Sequence, residues 1–232
     1  DVAACTRHGV KVAVGGGLPY STAELTWALV LASVRHIPQE VENIKAGRWQ
    51  RTLGTSLHGR TLGVFGYGNI GSLVANYGRA FGMRVLIWGR EGSRSRAQTG
   101  EFETVSNQRE LFQQADVLSL HLKLNAETRG IVTADDLAAM KSSALLVNTS
   151  RAGLIAPGVL EAALRTGHPG FAAVDVYEDE PVIDKPLLHM ENVLCTPHLG
   201  YVEKDVYENF FGTAFGQIRD FEDGKAVKGV IN

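Results

Sequence analysis

Gly66-Tyr67-Gly68-Asn69-Ile70-Gly71 stands directly after the apolar run Leu62-Gly63-Val64-Phe65 and directly before a helix-like stretch over 72–81. The order strand, glycine turn, helix gives the spacing G-x-G-x-x-G a mechanical meaning. The first glycine permits a tight turn, the second lets a pyrophosphate approach the backbone, and the third lets helix pack on strand. The helix N-terminus then offers N–H groups without intrahelical partners and the positive end of its dipole. The motif predicts a dinucleotide-binding turn, against the plainer alternative of a glycine turn with no ligand.

Working outward, short apolar runs recur at 85–88, 117–120, 145–148, 172–175 and 193–196, with helix-like stretches over 108–115, 134–140 and 158–165. Strand–helix alternation with short loops calls for a parallel sheet covered on both faces, an α/β fold of the doubly wound Rossmann type. Upstream, Ser21-Thr22-Ala23-Glu24 has the capping-box pattern, and Leu25, Leu29, Ala32, Val41 and Ile44 follow. That predicts a long helix over 21–46, bent or interrupted at Pro38 and ended by Gly47. A last helix is predicted over 202–222, rich in aromatics (Tyr207, Phe210, Phe211, Phe215, Phe221).

Composition narrows the partners. The 232 residues carry 23 Lys+Arg against 25 Asp+Glu, a formal charge of −2, which argues against nucleic acid or an anionic membrane as the main partner. No apolar run reaches membrane-spanning length. The two cysteines, Cys5 and Cys195, lie far apart without metal-ligand spacing, so neither a disulfide scaffold nor a metal site is expected, and a cytoplasmic location fits. The opening Asp1-Val2-Ala3 lacks a Met, the expectation for a processed or truncated piece.

In a dinucleotide fold the strand after the glycine turn ends in an acidic residue that holds the adenosine ribose. Here the corresponding stretch is Trp88-Gly89-Arg90-Glu91-Gly92-Ser93-Arg94-Ser95-Arg96. Gly89 stands where the carboxylate belongs, and Arg90 follows. A carboxylate repels a 2′-phosphate, whereas a guanidinium binds one bidentately, so NADP(H) is favoured over NAD(H). The alternative is a solvated basic loop, with Glu91 turning in to serve NAD.

Three further residues fall just past predicted strand ends, where ligands bind in parallel sheets. They are Arg151 in Asn148-Thr149-Ser150-Arg151, Glu180 in Asp175-Val176-Tyr177-Glu178-Asp179-Glu180-Pro181, and His198 in Thr196-Pro197-His198-Leu199-Gly200. Carbonyl reduction leaves charge on oxygen and needs a proton donor and a cation. A histidine supplies the proton, a carboxylate on its far ring nitrogen orients it, and a guanidinium holds a substrate carboxylate. Taken singly, each could be an ordinary loop residue; together, at successive strand ends, they form a candidate catalytic set.

These motifs, in this order, together with Leu57-His58-Gly59-Arg60-Thr61 and His121-Leu122-Lys123-Leu124, make the chain resemble the D-isomer-specific 2-hydroxyacid dehydrogenases over nearly its whole length. The resemblance implies that Arg151 binds substrate, that His198 is the general acid/base and that Glu180 is its paired acid. It implies that Asp175 meets the nicotinamide carboxamide. It further implies that Gly66, Gly68, Asn69, Ile70 and Gly71 hold the pyrophosphate, and that Gly89, Arg90, His121, Leu122, Thr128, Thr149, Ser150, Arg151 and Gly200 line the cofactor. The reaction implied interconverts a 2-oxo acid and a D-2-hydroxy acid. Alternatives are a relative acting on formate or phosphite, or a dinucleotide-sensing corepressor.

The family also has a flavodoxin-like substrate domain, most of which is not represented here. The expected organisation is therefore 1–20 as a remnant of that domain, 21–201 as the dinucleotide-binding domain, and 202–232 as a helix returning to the substrate domain. A homodimer through the helix over 21–43 is the implied assembly.

Overall fold

A computed structural model describes residues 1–232, which divide into two compact units, Thr22–Gly200 and Asp1–Ser21 with Tyr201–Asn232. In chain order the elements are α1 (Val2–Arg7), α2 (Pro19–Val34), α3 (Ile37–Lys45), β1 (Thr61–Phe65), α4 (Asn69–Ala80), β2 (Arg84–Trp88), α5 (Glu91–Thr99), β3 (Glu103–Thr104), α6 (Gln108–Gln114), β4 (Val117–Leu120), α7 (Ala134–Ala138), β5 (Leu145–Asn148), α8 (Val159–Thr166), β6 (Phe171–Val174), β7 (Val193–Cys195) and α9 (Lys204–Glu222).

The larger unit is built on one seven-stranded sheet in the order β3-β2-β1-β4-β5-β6-β7, with every pairing parallel. The chain builds outward from β1 to β3, then returns to the other side of β1 to lay down β4. The reversal opens a crevice at the C-terminal ends of β1 and β4. Parallel strands need helices on both faces, and alternate residues of each strand feed the two layers. Leu62, Val64, Val85, Ile87 and Val147 pack with Trp27 and Val30 of α2 and Val74 and Ala75 of α4. Phe65, Leu86, Leu118, Leu120 and Leu146 pack on the opposite face with Leu111 and Phe112 of α6, Leu137 of α7 and Leu164 of α8.

The structure corrects one local reading of the sequence, sharpens a second and adds an unread helix. The first long helix begins at Pro19, so Ser21 and Thr22 lie inside its first turn rather than capping it. It is also two helices, because His36 turns left-handed at φ 51° and Pro38 then sits in the first turn of α3, where its missing N–H costs nothing. The basic stretch after β2, where the sequence offered no helix signal, forms α5. Its sequence is polar on nearly every side and only Ala97 is buried, so it carries no apolar periodicity to mark a helix.

In the smaller unit, Ala13 and Val230 form an antiparallel bridge, flanked by Val14 N–H to the Gly229 carbonyl (2.9 Å) and Ile231 N–H to the Val12 carbonyl (3.0 Å). The Asn209 side-chain amide of α9 donates to the Gly16 carbonyl at 2.6 Å. Along α9, Tyr207, Phe211 and Phe215 stack in succession and remain exposed. No helix is long and apolar enough to cross a membrane.

Asp116 ties the N-terminal edge of the sheet together. Its carboxylate accepts the Thr61 N–H at 2.8 Å and meets Lys141 Nζ at 2.8 Å. Burial pushes its pKa up, but the hydrogen bonds from Lys141 and Thr61 outweigh that and hold it below the usual carboxylate value. A depressed folded pKa means that the unfolded chain binds the proton more readily. The stabilisation is therefore present above the unfolded value and is lost as pH falls through the lower, folded one. Urea unfolding between pH 3 and pH 7 is expected to show an acid-side loss of stability that is shallower in Asp116→Asn, which also loses about 1 kcal/mol at neutral pH.

Candidate active site

The glycine turn fits a pyrophosphate. Gly66 has φ 103°, and a Cβ there meets the His121 carbonyl oxygen at 2.7 Å. A Cβ on Gly71 lies 2.0 Å from the Gly66 oxygen, so α4 packs against the turn only with glycine at that position. Gly68 is the opposite case: a Cβ there meets nothing, and Gly68 and Asn69 are exposed. Gly68 caps α4 with no side-chain hydrogen bond, so the first-turn N–H groups of Asn69 and Ile70 face an open cradle.

The exits of the neighbouring strands close on this turn. Gly89 is buried after β2, and a Cβ there approaches Ser93 Cβ at 3.2 Å and Gly66 Cα at 3.6 Å. Arg90 occupies the cap position of α5, with its guanidinium paired to Glu127. After β4, His121 donates its backbone N–H to Phe65 at 2.8 Å, and its Nε2 lies 2.8 Å from Ser119 Oγ. Desolvation holds its imidazole down to about 4, so it is neutral at pH 7. Leu122 takes the Ser150 hydroxyl on its carbonyl at 3.2 Å.

Two of the residues read as cofactor-lining are engaged elsewhere. Thr128 is buried and donates its hydroxyl to the Lys123 carbonyl at 2.7 Å, so that hydroxyl braces its own loop. Thr149 is buried with its hydroxyl 2.7 Å from that of Thr26, which ties the β5 exit to α2.

At the other end of the crevice the structure brings Arg151, Glu180 and His198 together. His198 Nδ1 lies 2.6 Å from Glu180 Oε2, and the other Glu180 oxygen accepts the Tyr177 N–H at 2.9 Å. Burial pushes Glu180 up, yet the hydrogen bonds from His198 and Tyr177, with the charge of Arg151, hold it below the usual carboxylate value. The carboxylate therefore remains ionised opposite the ring. Arg151 follows β5 and places one guanidinium nitrogen 2.6 Å from the Ser150 carbonyl. With Nδ1 on the carboxylate, a proton exchanged with a ligand passes through Nε2.

The loop bearing His198 is held from beneath by Asp175, which follows β6 and is fully buried. Its Oδ1 accepts the Thr196 hydroxyl at 2.6 Å and the Leu199 N–H at 2.7 Å, and its Oδ2 accepts the Gly200 N–H at 2.9 Å. His198 itself has φ 55°, a conformation that costs a non-glycine residue on the order of 1–3 kcal/mol and persists where surrounding bonds impose it.

Reading the sequence missed three supports. Asn148 is buried at the end of β5, accepting the Ser150 N–H and donating to the Arg151 carbonyl, both at 3.0 Å. An Asn at a strand exit before a polar turn is a signal for this bracing. Arg96 donates to the Tyr67 carbonyl inside the glycine turn at 3.0 Å. Tyr177 donates its hydroxyl to the Thr196 carbonyl at 2.9 Å, and burial pushes its phenol pKa up.

Residues 27–200 match the model of the D-isomer specific 2-hydroxyacid dehydrogenase, NAD binding domain, and the chain belongs to that family. The chain is 37% identical over 235 residues to the D-3-phosphoglycerate dehydrogenase of Methanocaldococcus jannaschii, matching all of this chain and 45% of that protein. It is 37% identical over 246 residues to the glyoxylate reductase of Aeropyrum pernix, covering 72% of that protein. The crystal structure of a phosphoglycerate oxidoreductase from Vibrio cholerae superposes with a TM-score of 0.92 at 49% identity, over 97% of this chain and 73% of that one. The chain thus spans just under half the length of one relative and nearly three quarters of the other two. The matched region is the family's cofactor domain, and the cofactor is a nicotinamide dinucleotide.

Replacing Asp175 with alanine leaves three donors, the Gly200 N–H among them buried, without their acceptor. Asp175→Ala is expected to lower stability by on the order of 3 kcal/mol, read from urea unfolding. The same variant should shift the NMR ring signals of His198, whereas unchanged signals would mean that the loop is held by other contacts.

Proposed function

We propose that this chain is the cofactor-binding part of an oxidoreductase that interconverts a 2-oxo acid and a D-2-hydroxy acid, with NADP(H) favoured over NAD(H). The observation that carries the reading is the 2.6 Å His198–Glu180 pair beside Arg151, built from the exits of β5, β6 and β7 at the edge of the sheet that bears the glycine turn. The names of the relatives support the substrate class: a phosphoglycerate dehydrogenase and a glyoxylate reductase both act on 2-hydroxy or 2-oxo acids.

In this reading His198 gives a proton from Nε2 to the substrate oxygen in the reducing direction and takes it back in the other. Glu180 fixes the ring and stabilises the imidazolium. Arg151 holds the substrate carboxylate and polarises its carbonyl. The nicotinamide, when bound, supplies or accepts the hydride. Gly66, Gly68, Asn69, Ile70 and Gly71 bind the pyrophosphate, and Asp175 serves the nicotinamide end through the Thr196–Gly200 loop that it anchors. The preference for NADP(H) rests on Gly89 standing where a ribose-binding carboxylate belongs and on Arg90 beside it. Residues 21–201 form the dinucleotide-binding domain, while 1–20 and 202–232 belong with a substrate domain whose contacts set specificity. A cytoplasmic homodimer through 21–43 completes the proposal.

The first test follows NADPH and, separately, NADH absorbance in the full-length protein against glyoxylate, hydroxypyruvate, pyruvate and bulkier 2-oxo acids. Turnover with any of them establishes the reaction, and cofactor binding without turnover overturns it. His198→Ala is expected to lower kcat about 10²–10⁴-fold with cofactor affinity nearly unchanged, and lost cofactor binding would contradict the assignment. Arg90→Ala should weaken NADPH more than NADH, while equal losses would make Arg90 ordinary surface charge.

A further inference from the structure

Arg90 is not alone at the exit of β2. Its guanidinium is paired with the carboxylate of Glu127, which comes from the loop after β4. The two residues follow the two strands that flank β1, and those exits close on the glycine turn from opposite sides: Gly89 approaches Gly66 from one, and the His121 carbonyl from the other. The Arg90–Glu127 pair therefore bridges the two loops between which the adenosine end of a dinucleotide lies.

The placement of Glu127 is built into its loop. The Asn125 side-chain oxygen accepts the Glu127 N–H at 2.9 Å and the Thr128 N–H at 3.0 Å, while the buried Thr128 hydroxyl donates to Lys123. The backbone of this loop is thus braced from within. The Glu127 side chain is 77% exposed and able to swing between the guanidinium and solvent.

We infer that Glu127 is a specificity-determining residue that sets the ratio between the two dinucleotides by competing with a 2′-phosphate for Arg90. A phosphate dianion reaching Arg90 must displace a carboxylate already on it and then remain near that carboxylate. An unphosphorylated ribose meets no such opposition. Glu127 thereby tempers the preference for NADP(H) that Arg90 confers, without itself contributing to NAD(H) affinity. The inference rests on the reading of Arg90 as the 2′-phosphate ligand. Because the pair is exposed, the effect is a modest one, about two- to fivefold, and shrinks with added salt.

The experiment titrates the chain with NADPH and NADH, following nicotinamide fluorescence, for the parent protein, Glu127→Gln, Glu91→Gln, Arg90→Ala and the double variant. Glu127→Gln is expected to tighten NADPH about two- to fivefold and leave NADH unchanged. The gain should vanish in the Arg90→Ala background, and Glu91→Gln should not reproduce it. Unchanged NADPH affinity in Glu127→Gln, with a selective loss of NADPH in Arg90→Ala, overturns the inference and leaves Arg90 in its role. Equal effects of Arg90→Ala on both cofactors overturn the Arg90 reading and the inference with it. Weaker binding of both cofactors to Glu127→Gln also overturns it, since Glu127 would then shape the loop rather than select the ligand.

Discussion

His198 can be useful only if a short, strained loop presents it in one orientation, and the buried carboxylate of Asp175 imposes that orientation. Three donors from Thr196, Leu199 and Gly200 converge on two oxygens with no exposure to solvent. In an apolar interior such a group is costly unless every bond is made, so the arrangement tolerates little variation in loop geometry. The left-handed backbone at His198 is a consequence. Glu180 then fixes the ring from the side, and its own second oxygen is occupied by the Tyr177 N–H. The site is a chain of positioning bonds running from the β6 exit to one imidazole.

The other end of the crevice depends on closeness rather than on hydrogen bonds. Gly66 and Gly71 remove the side chains that would separate the turn from the β4 exit and α4 from the turn, and Gly68 leaves its outer side open. Arg96 holds the turn from α5, and Ser150 joins the β5 exit to the β4 exit. Adjacent strand exits thus brace one another, so the residues facing a ligand sit on a rigid rim although they lie in loops.

Much of this was legible in the sequence because the signals were strong and local. Strands β1, β2, β4, β5 and β6 are nearly continuous apolar runs, as sheets buried on both faces require, and the glycine spacing marks the turn, whereas the two-residue polar strand β3 (Glu103–Thr104) left no such signal. The segments that misled did so for identifiable reasons. Helix α5 packs one residue, Ala97, so no periodicity betrays it. The break between α2 and α3 falls at His36, two residues before the proline that flags it, because proline is tolerated in a first turn. The internal bonds of the Thr128 and Thr149 hydroxyls, to Lys123 and Thr26, are contacts that no local pattern shows.

What the amino-acid order determined by itself is the succession of the main strands and most of their helices, the dinucleotide turn and the identity of Arg151, Glu180 and His198 as candidates, since each is written in residue type, spacing and position after an apolar run. Partnership is another matter. The family resemblance implied the Glu180–His198 pair, but residue pattern alone did not choose Glu180 over Glu178 or Asp179; that contact, the hold of Asp175 on the histidine loop and the contact of Glu127 with Arg90 are made by the tertiary structure. These pairs are separated by 18 to 37 positions in the chain and are brought together by the order in which parallel strands are laid down. Local patterns carry no information about such distances, because the sheet, and not the neighbouring sequence, sets which strand exits face each other.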